Sequence, residues 1–139
     1  MIKSLFRWVL DMKKIVVIVD RNVETGRIAN AIAHCSAGIS ISKFDEYETS
    51  NGITCTLSNH PIIILSAKNK NQVKNALIKA DEAKLEYSFF ASTMWRETPE
   101  EQVAETKSTS FDDLEVIACA IYGESEEVDK IARKFSLYR

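Results

Sequence analysis

DRNVETGRIANAIAHCSAG, residues 20–38, decides how the rest of the chain is read. It follows Ile15-Val16-Val17-Ile18-Val19, an apolar run with the character of a buried strand. The chain then turns through Gly26 into a helix predicted over residues 25–41. At 100° per residue, His34 lies about 20° from Arg27 and Asn30 about 60° from it, which places the three on one polar stripe. The remaining faces carry Ile28, Ile32, Cys35 and Ile39 or the small residues Ala29, Ala33 and Ala37. A helix that is apolar or small on its other faces and keeps an Arg-Asn-His stripe is a place to look for a site.

The totals bound the classes of protein that fit. A chain of 139 residues suits a single domain with its own core. A formal charge of −2 argues against a phosphate-dominated nucleic-acid binder. Cys35, Cys55 and Cys119 are widely spaced, lie in apolar stretches and form no CxxC pair, so they read as small reduced core residues rather than a disulfide or zinc framework. Neither a metal nor a cofactor is expected, and the location expected is cytoplasmic. The longest apolar run is far short of the ~20 residues a membrane helix needs. MIKSLFRWVLD, residues 1–11, is too short and interrupted for a signal peptide. With Met12-Lys13-Lys14 resembling a start, residues 1–12 read as a peripheral extension and residues 13–139 as one domain.

From residue 43 to Asn51 the chain is polar and without period, and Asn51-Gly52 signals a turn. Ile53, Cys55 and Leu57 alternate with threonines as in a half-exposed strand. Asn59-His60-Pro61 turns the chain into Ile62-Ile63-Ile64-Leu65, a second buried strand. A helix is predicted over 71–85, with its lysines on a solvated face, and a strand over 87–93. Thr98-Pro99-Glu100-Glu101 marks a helix start: a cap, a proline at the first helical position and the Glu of a capping box. The last strand spans 114–122, Gly123 turns it, and Ser125 caps a final helix to about Phe135. Two nearly all-apolar strands need cover on both faces, so the expected fold is an α/β/α three-layer sandwich on a mixed sheet.

Asp20, Gly26 and His34, with Arg27 between them, resemble the first strand and helix of the type-two peptidyl-tRNA hydrolases. The pattern there is an Asp after the strand, a Gly-Lys pair, a helix of small residues and a His seven residues after the Lys. The later element order is similar, down to the ending around Gly123–Asp129. The details resemble more closely an uncharacterised domain family of the same clan, which shares Thr93-Met94-Trp95 and Pro99-Glu-Glu-Gln-Val-Ala104. What the resemblance implies is a peptidyl-tRNA hydrolase II-like fold and a hydrolase site in which His34 orients or activates the water that attacks an ester. This chain departs in two places. Arg27 stands where the hydrolases have Lys, and residues 91–98 (Ala-Ser-Thr-Met-Trp-Arg-Glu-Thr) lack the aspartate of the hydrolase motif, Glu97 being the nearest carboxylate.

Each candidate has a functional and a structural reading. His34 can serve as base or donor near neutral pH, or sit against a backbone carbonyl. Arg27 can hold a phosphate or carboxylate at the helix start, or pair with Asp20 or Glu24. Asp20 occupies the carboxyl end of a strand, where open α/β sheets bind ligands, or merely caps its turn. Asn30 completes the stripe, and Thr93, Trp95 and Arg96 can close the opposite wall, with the Trp95 face open to a ring. Two functions follow: a divergent hydrolase or anionic small-ligand site, with a tRNA-linked substrate implied by resemblance alone, or a non-catalytic, homodimeric binding module. No membrane partner is expected.

Overall fold

The computed structural model describes residues 12–39 and 44–139. In order they form β1 (Lys13–Asp20), α1 (Thr25–Ala37), β2 (Phe44–Glu48), β3 (Thr54–Ser58), β4 (Ile62–Ala67), α2 (Lys70–Glu82), β5 (Glu86–Ala91), α3 (Pro99–Lys107), β6 (Val116–Glu124), α4 (Ser125–Ala132) and β7 (Ser136–Leu137). Single 3₁₀ turns occupy Ser92–Met94 and Phe111–Asp113. The expected N-terminal extension before Met12, and the predicted helix beyond Ile39, lie outside the described residues.

Five strands make one mixed sheet in the order β5-β6-β1-β4-β7. β1 runs parallel to β4, with Ile15 opposite Ile62 and Asp20 opposite Ala67, and antiparallel to β6. Being central, β1 is buried from Ile15 to Asp20. Its alternating side chains feed two cores. On one face Ile15, Val17 and Val19, with Ala118 and Ala120 of β6, meet Ile28, Ala31 and Cys35 of α1. On the other, Val16, Ile18, Cys119 and Ile121 meet Val73, Ala76 and Leu77 of α2 and Val128 and Ile131 of α4. Each fully buried Ile or Val contributes about 1.5–3 kcal/mol relative to exposure. The architecture is mixed α/β with helices on both faces of the sheet.

Helix boundaries follow local chemistry. Asn69 caps α2 by accepting from the Gln72 amide at 3.0 Å, and Thr98 caps α3 by accepting from the Glu101 amide at 3.2 Å. α2 ends in a paired return: Lys84 N–H donates to Asp81 and Leu85 N–H to Ala80, both at 3.0 Å. That closure places Lys84 at φ 58°, a left-handed conformation usually given to glycine. α1 stops at Ala37, short of the end predicted at residue 41. Gly38 allows a close approach to β5 there, because a Cβ on it would stand 2.5 Å from Ser88 Oγ.

Several elements differ from expectation. The stretch after residue 43, expected to be irregular, contains β2, which pairs with β3 as a separate two-stranded sheet. Its Asp-Glu-Tyr-Glu sequence has no apolar period, and cross-strand pairing imposes the strand. Cys55, expected in the core with Cys35 and Cys119, is exposed instead, because β3 lies on this hairpin outside both cores. The turn is built by Thr49, whose Oγ1 accepts from the Ile53 amide at 3.1 Å and donates to Asn51 Oδ1 at 2.6 Å, with Gly52 at φ +88°. β4, expected to be buried, leaves Ile62 45% exposed, since on the side away from β1 only the two-residue β7 flanks it, opposite Leu65 and Ser66. β6 begins at Val116 because Phe111–Asp113 forms a turn, and it continues through Gly123 to Glu124, so Glu124 rather than Ser125 holds the cap position of α4.

Candidate functional site

The predicted site residues divide into two groups. β1 delivers Asp20 to its carboxyl end, beside the parallel neighbour β4, so that α1 and α2 both begin at this end of the sheet. A cleft of about 460 Å³ opens there, lined by Asp20, Asn22, Val23, Glu24 and Arg27 on one side and by Asn69, Lys70, Trp95, Glu115 and Ile117 on the other. Carboxyl ends of parallel strands are where open α/β sheets leave room for ligands.

Trp95 reaches the cleft because β5 stops at Ala91 and the chain coils through Ser92–Met94, held by Ser92 N–H to Glu115 O at 3.0 Å and Trp95 N–H to Ser92 O at 3.2 Å. The half-buried indole meets α1 from below. Arg27 Cζ stands 4.9 Å from the Trp95 ring centroid, a cation–π contact. Phe90, at the end of β5, packs against Trp95 with centroids 5.6 Å apart. His34 lies over Phe90, also at 5.6 Å, with the rings inclined by only 27°. Arg27 and His34 thus bracket a Phe90–Trp95 pair along one face of α1. Seven residues separate them, about 10.5 Å along the helix, and His34 is not among the residues lining the cleft. Asn30 lies between them, exposed on α1.

The carboxylates have partners that limit what they can do. Asp20 is buried, and its Oδ1 accepts from both the backbone and the side-chain nitrogen of Asn22 at 3.0 Å. Asn22 in turn donates to Lys68 O at 2.6 Å, which ties the β1 loop to the end of β4. Glu115 pairs with Lys70 at 3.0 Å. Arg27 pairs with neither Asp20 nor Glu24, nor with any other carboxylate among the described residues. The start of α1 has no side-chain cap, Glu24 at the cap position making no such bond.

Thr93 and Arg96 are turned to α3. Thr93 is buried, with its hydroxyl 2.8 Å from that of Thr106. Arg96 grips Glu105 through two parallel bonds, and that carboxylate holds its guanidinium above the usual arginine range. Among the described residues no carboxylate is bonded to the His34 ring. Cys35, next to it in sequence, is buried in the core, and burial pushes its thiol up to about 12. No group of three or more His, Cys, Asp or Glu among the described residues is placed to hold a metal ion. None of the helices there is long and apolar enough to cross a membrane.

Sequence reasoning did not find Asn22, Asn69, Lys70, Glu115 or the linking Phe90. Asn69 and Lys70 carried a signal in retrospect: they stand just beyond β4, at the start of the next helix. Glu115 had none, since its place depends on how β5 and β6 pair.

Known proteins set this geometry in context. A search of curated proteins gives no match. A protein of unknown function from Agrobacterium tumefaciens strain C58 is similar in structure, with a TM-score of 0.82 and 20% identity over 91% of this chain and 98% of that one. At that identity the likeness establishes a shared fold. A family model described as a protein of unknown function, DUF2000, matches residues 13–139. With β1 through β7 and the whole cleft inside the match, the chain belongs to the DUF2000 family.

Proposed function

We propose that the cleft at the carboxyl ends of β1 and β4 binds a small anionic ligand that carries a flat ring, with Arg27 and Trp95 as the two anchors. The observation that carries this reading is the Arg27 guanidinium, without a carboxylate partner among the described residues, stacked on Trp95 at the mouth of the cleft. A guanidinium presents a planar fork suited to phosphate or carboxylate. The uncapped start of α1 adds backbone N–H groups and the positive end of the helix dipole to the same space. Trp95 supplies an apolar face on which a ring can lie. Asp20 serves by holding the Asn22 loop in place, and Asn30 extends the polar stripe along α1.

The hydrolase reading rests on the resemblance of Asp20, Gly26, Arg27 and His34 to the type-two peptidyl-tRNA hydrolases. Geometry favours it less. His34 stacks on Phe90 two turns from the cleft, and Asp20 is engaged with Asn22. We therefore place binding ahead of catalysis.

The test uses Trp95 fluorescence in a Trp8→Phe background, titrated with inorganic phosphate, nucleoside monophosphates and aromatic carboxylates. Saturable quenching by a ring-bearing anion, weakened at least tenfold by Arg27→Ala, is expected. No saturable response to any of them defeats the reading. Release of peptide from labelled peptidyl-tRNA, lost in His34→Ala, would reverse the order of the two proposals.

A further inference from the structure

The β2–β3 hairpin stands outside both cores, and a lone two-stranded hairpin is marginal in water. Its register places Tyr47 opposite Cys55 and Asp45 opposite Leu57, so one face carries Tyr47, Ile53, Cys55 and Leu57, with Asp45 at its β2 margin, while Glu46, Glu48, Thr54 and Thr56 occupy the other. That apolar face is open: Tyr47 is 51%, Leu57 56% and Ile53 65% exposed. The two outer edges differ in charge. β2 presents Asp45, Glu46 and Glu48, the kind of edge that repels a second strand. β3 has no charge anywhere from Gly52 to Asn59.

The hydrogen-bond pattern shows which groups of β3 are free to pair. Thr49 N–H donates to Ile53 O at 2.8 Å, marking a bonded pair. Alternation then turns the backbones of Tyr47, Cys55, Asp45 and Leu57 inward and those of Thr54, Thr56 and Ser58 away from β2. The strand Thr-Cys-Thr-Leu-Ser is also nearly symmetric in character about Thr56.

We propose that β3 pairs antiparallel with β3 of a second copy of this chain, about a two-fold axis at Thr56. Thr56 then faces its own copy, Cys55 faces Leu57 of the second copy, and Thr54 faces Ser58. Hydroxyl meets hydroxyl on one side and apolar meets apolar on the other. The result is a four-stranded sheet whose acidic β2 edges lie outermost and stop further growth, which closes the assembly as a dimer. The second copy is favoured as occupant because this one register matches every β3 residue from Thr54 to Ser58 in kind.

The experiment is sedimentation velocity on the full chain from micromolar to millimolar concentration, with three variants. A concentration-dependent dimer is expected in the wild type. Thr56→Pro removes an outward N–H while leaving the β2 ladder intact, and it should give monomer, with circular dichroism reporting the fold. Leu57→Lys should also give monomer, and it keeps the test decisive if the proline variant does not fold. In a Cys55→Ser background, Thr56→Cys should form an interchain disulfide on mild oxidation, since bonded antiparallel pairs stand about 5.5 Å apart at Cα. A wild type that stays monomeric throughout overturns the proposal. So does a dimer indifferent to both Thr56→Pro and Leu57→Lys, or one crosslinked through native Cys55 but not through Thr56→Cys.

Discussion

Arg27 and Trp95 come from elements 68 residues apart in sequence, yet the guanidinium carbon of one stands 4.9 Å above the ring of the other. The contact closes the gap between α1 and the turn after β5. A cation–π pair at an exposed site is worth about 0.5–1 kcal/mol. A double-mutant cycle with Arg27→Ala and Trp95→Ala, read by urea unfolding, should return a coupling in that range. A coupling of zero would mean that the two side chains are neighbours without mutual attraction.

Of the acids that line the cleft, Glu115 is paired with Lys70 and Asp20 is buried and bonded to Asn22, whereas Glu24 is exposed at the start of α1 with no described partner. It should oppose an anion at the start of α1. Replacing it with Gln should tighten binding of a ring-bearing anion by about two- to fivefold, as expected for removing a repulsion of about 0.4–1 kcal/mol at an exposed site. Calorimetric titration of Glu24→Gln beside the wild type measures this. Weaker binding in the variant would show Glu24 to be a ligand contact.

Lys84 holds a left-handed backbone at φ 58° where α2 closes on Asp81 and Ala80. Lys84→Gly should stabilise the protein by about 1 kcal/mol, because glycine adopts this conformation without strain. The denaturation midpoint should rise with an unchanged slope.

Thr93 sits close to Trp95 in sequence but is bonded to Thr106. Thr93→Val should therefore lower stability by only about 0.5–1.5 kcal/mol, the net worth of one hydrogen bond, because the Thr106 hydroxyl still donates to Gln102 O at 2.7 Å. Ligand affinity at Trp95 should stay within twofold of wild type. A selective loss of affinity with stability intact would place Thr93 in the binding site instead.

Burial raises the Cys35 thiol to about 12 and pushes the Cys119 thiol up as well, from ordinary values near 9. A thiol whose pKa is higher in the folded state keeps its proton there while the unfolded chain loses it. Stability from this source is complete below about pH 9 and declines as pH rises toward 12, by at most about 1.4 kcal/mol per pH unit for each thiol. Urea midpoints between pH 8 and pH 11 should fall accordingly, and Cys35→Ala should flatten the decline. Exposed Cys55 should react with a thiol reagent well before the other two.

The buried centre of the fold was legible in the chain because strong, periodic patterns coincide with strong burial. Ile15–Val19 had no polar interruption and became the central strand. Thr98-Pro99 and Asp20-to-Gly26 announced their helices through caps, proline and small residues. What escaped had no local signal. β2 is a strand only because β3 pairs with it, and β7 only because it reaches the edge of β4. The site followed the same rule. Arg27, Asn30 and His34 share a face by helical arithmetic, so they could be grouped from spacing. Whether Asp20 would meet them depended on Asn22, which captured its carboxylate. Trp95 reached the cleft only because a turn of three residues follows β5, while the same turn faced Thr93 and Arg96 toward α3.

The hairpin sits inside the crossover that links parallel strands β1 and β4, a connection that α1 alone already makes long enough. Among the described residues, neither core includes a member of it. Residues 44–58 can therefore be lengthened, shortened or recoloured without touching the cleft at the far end of β1. The proposed pairing strand and the proposed ligand cleft can thus change independently of each other.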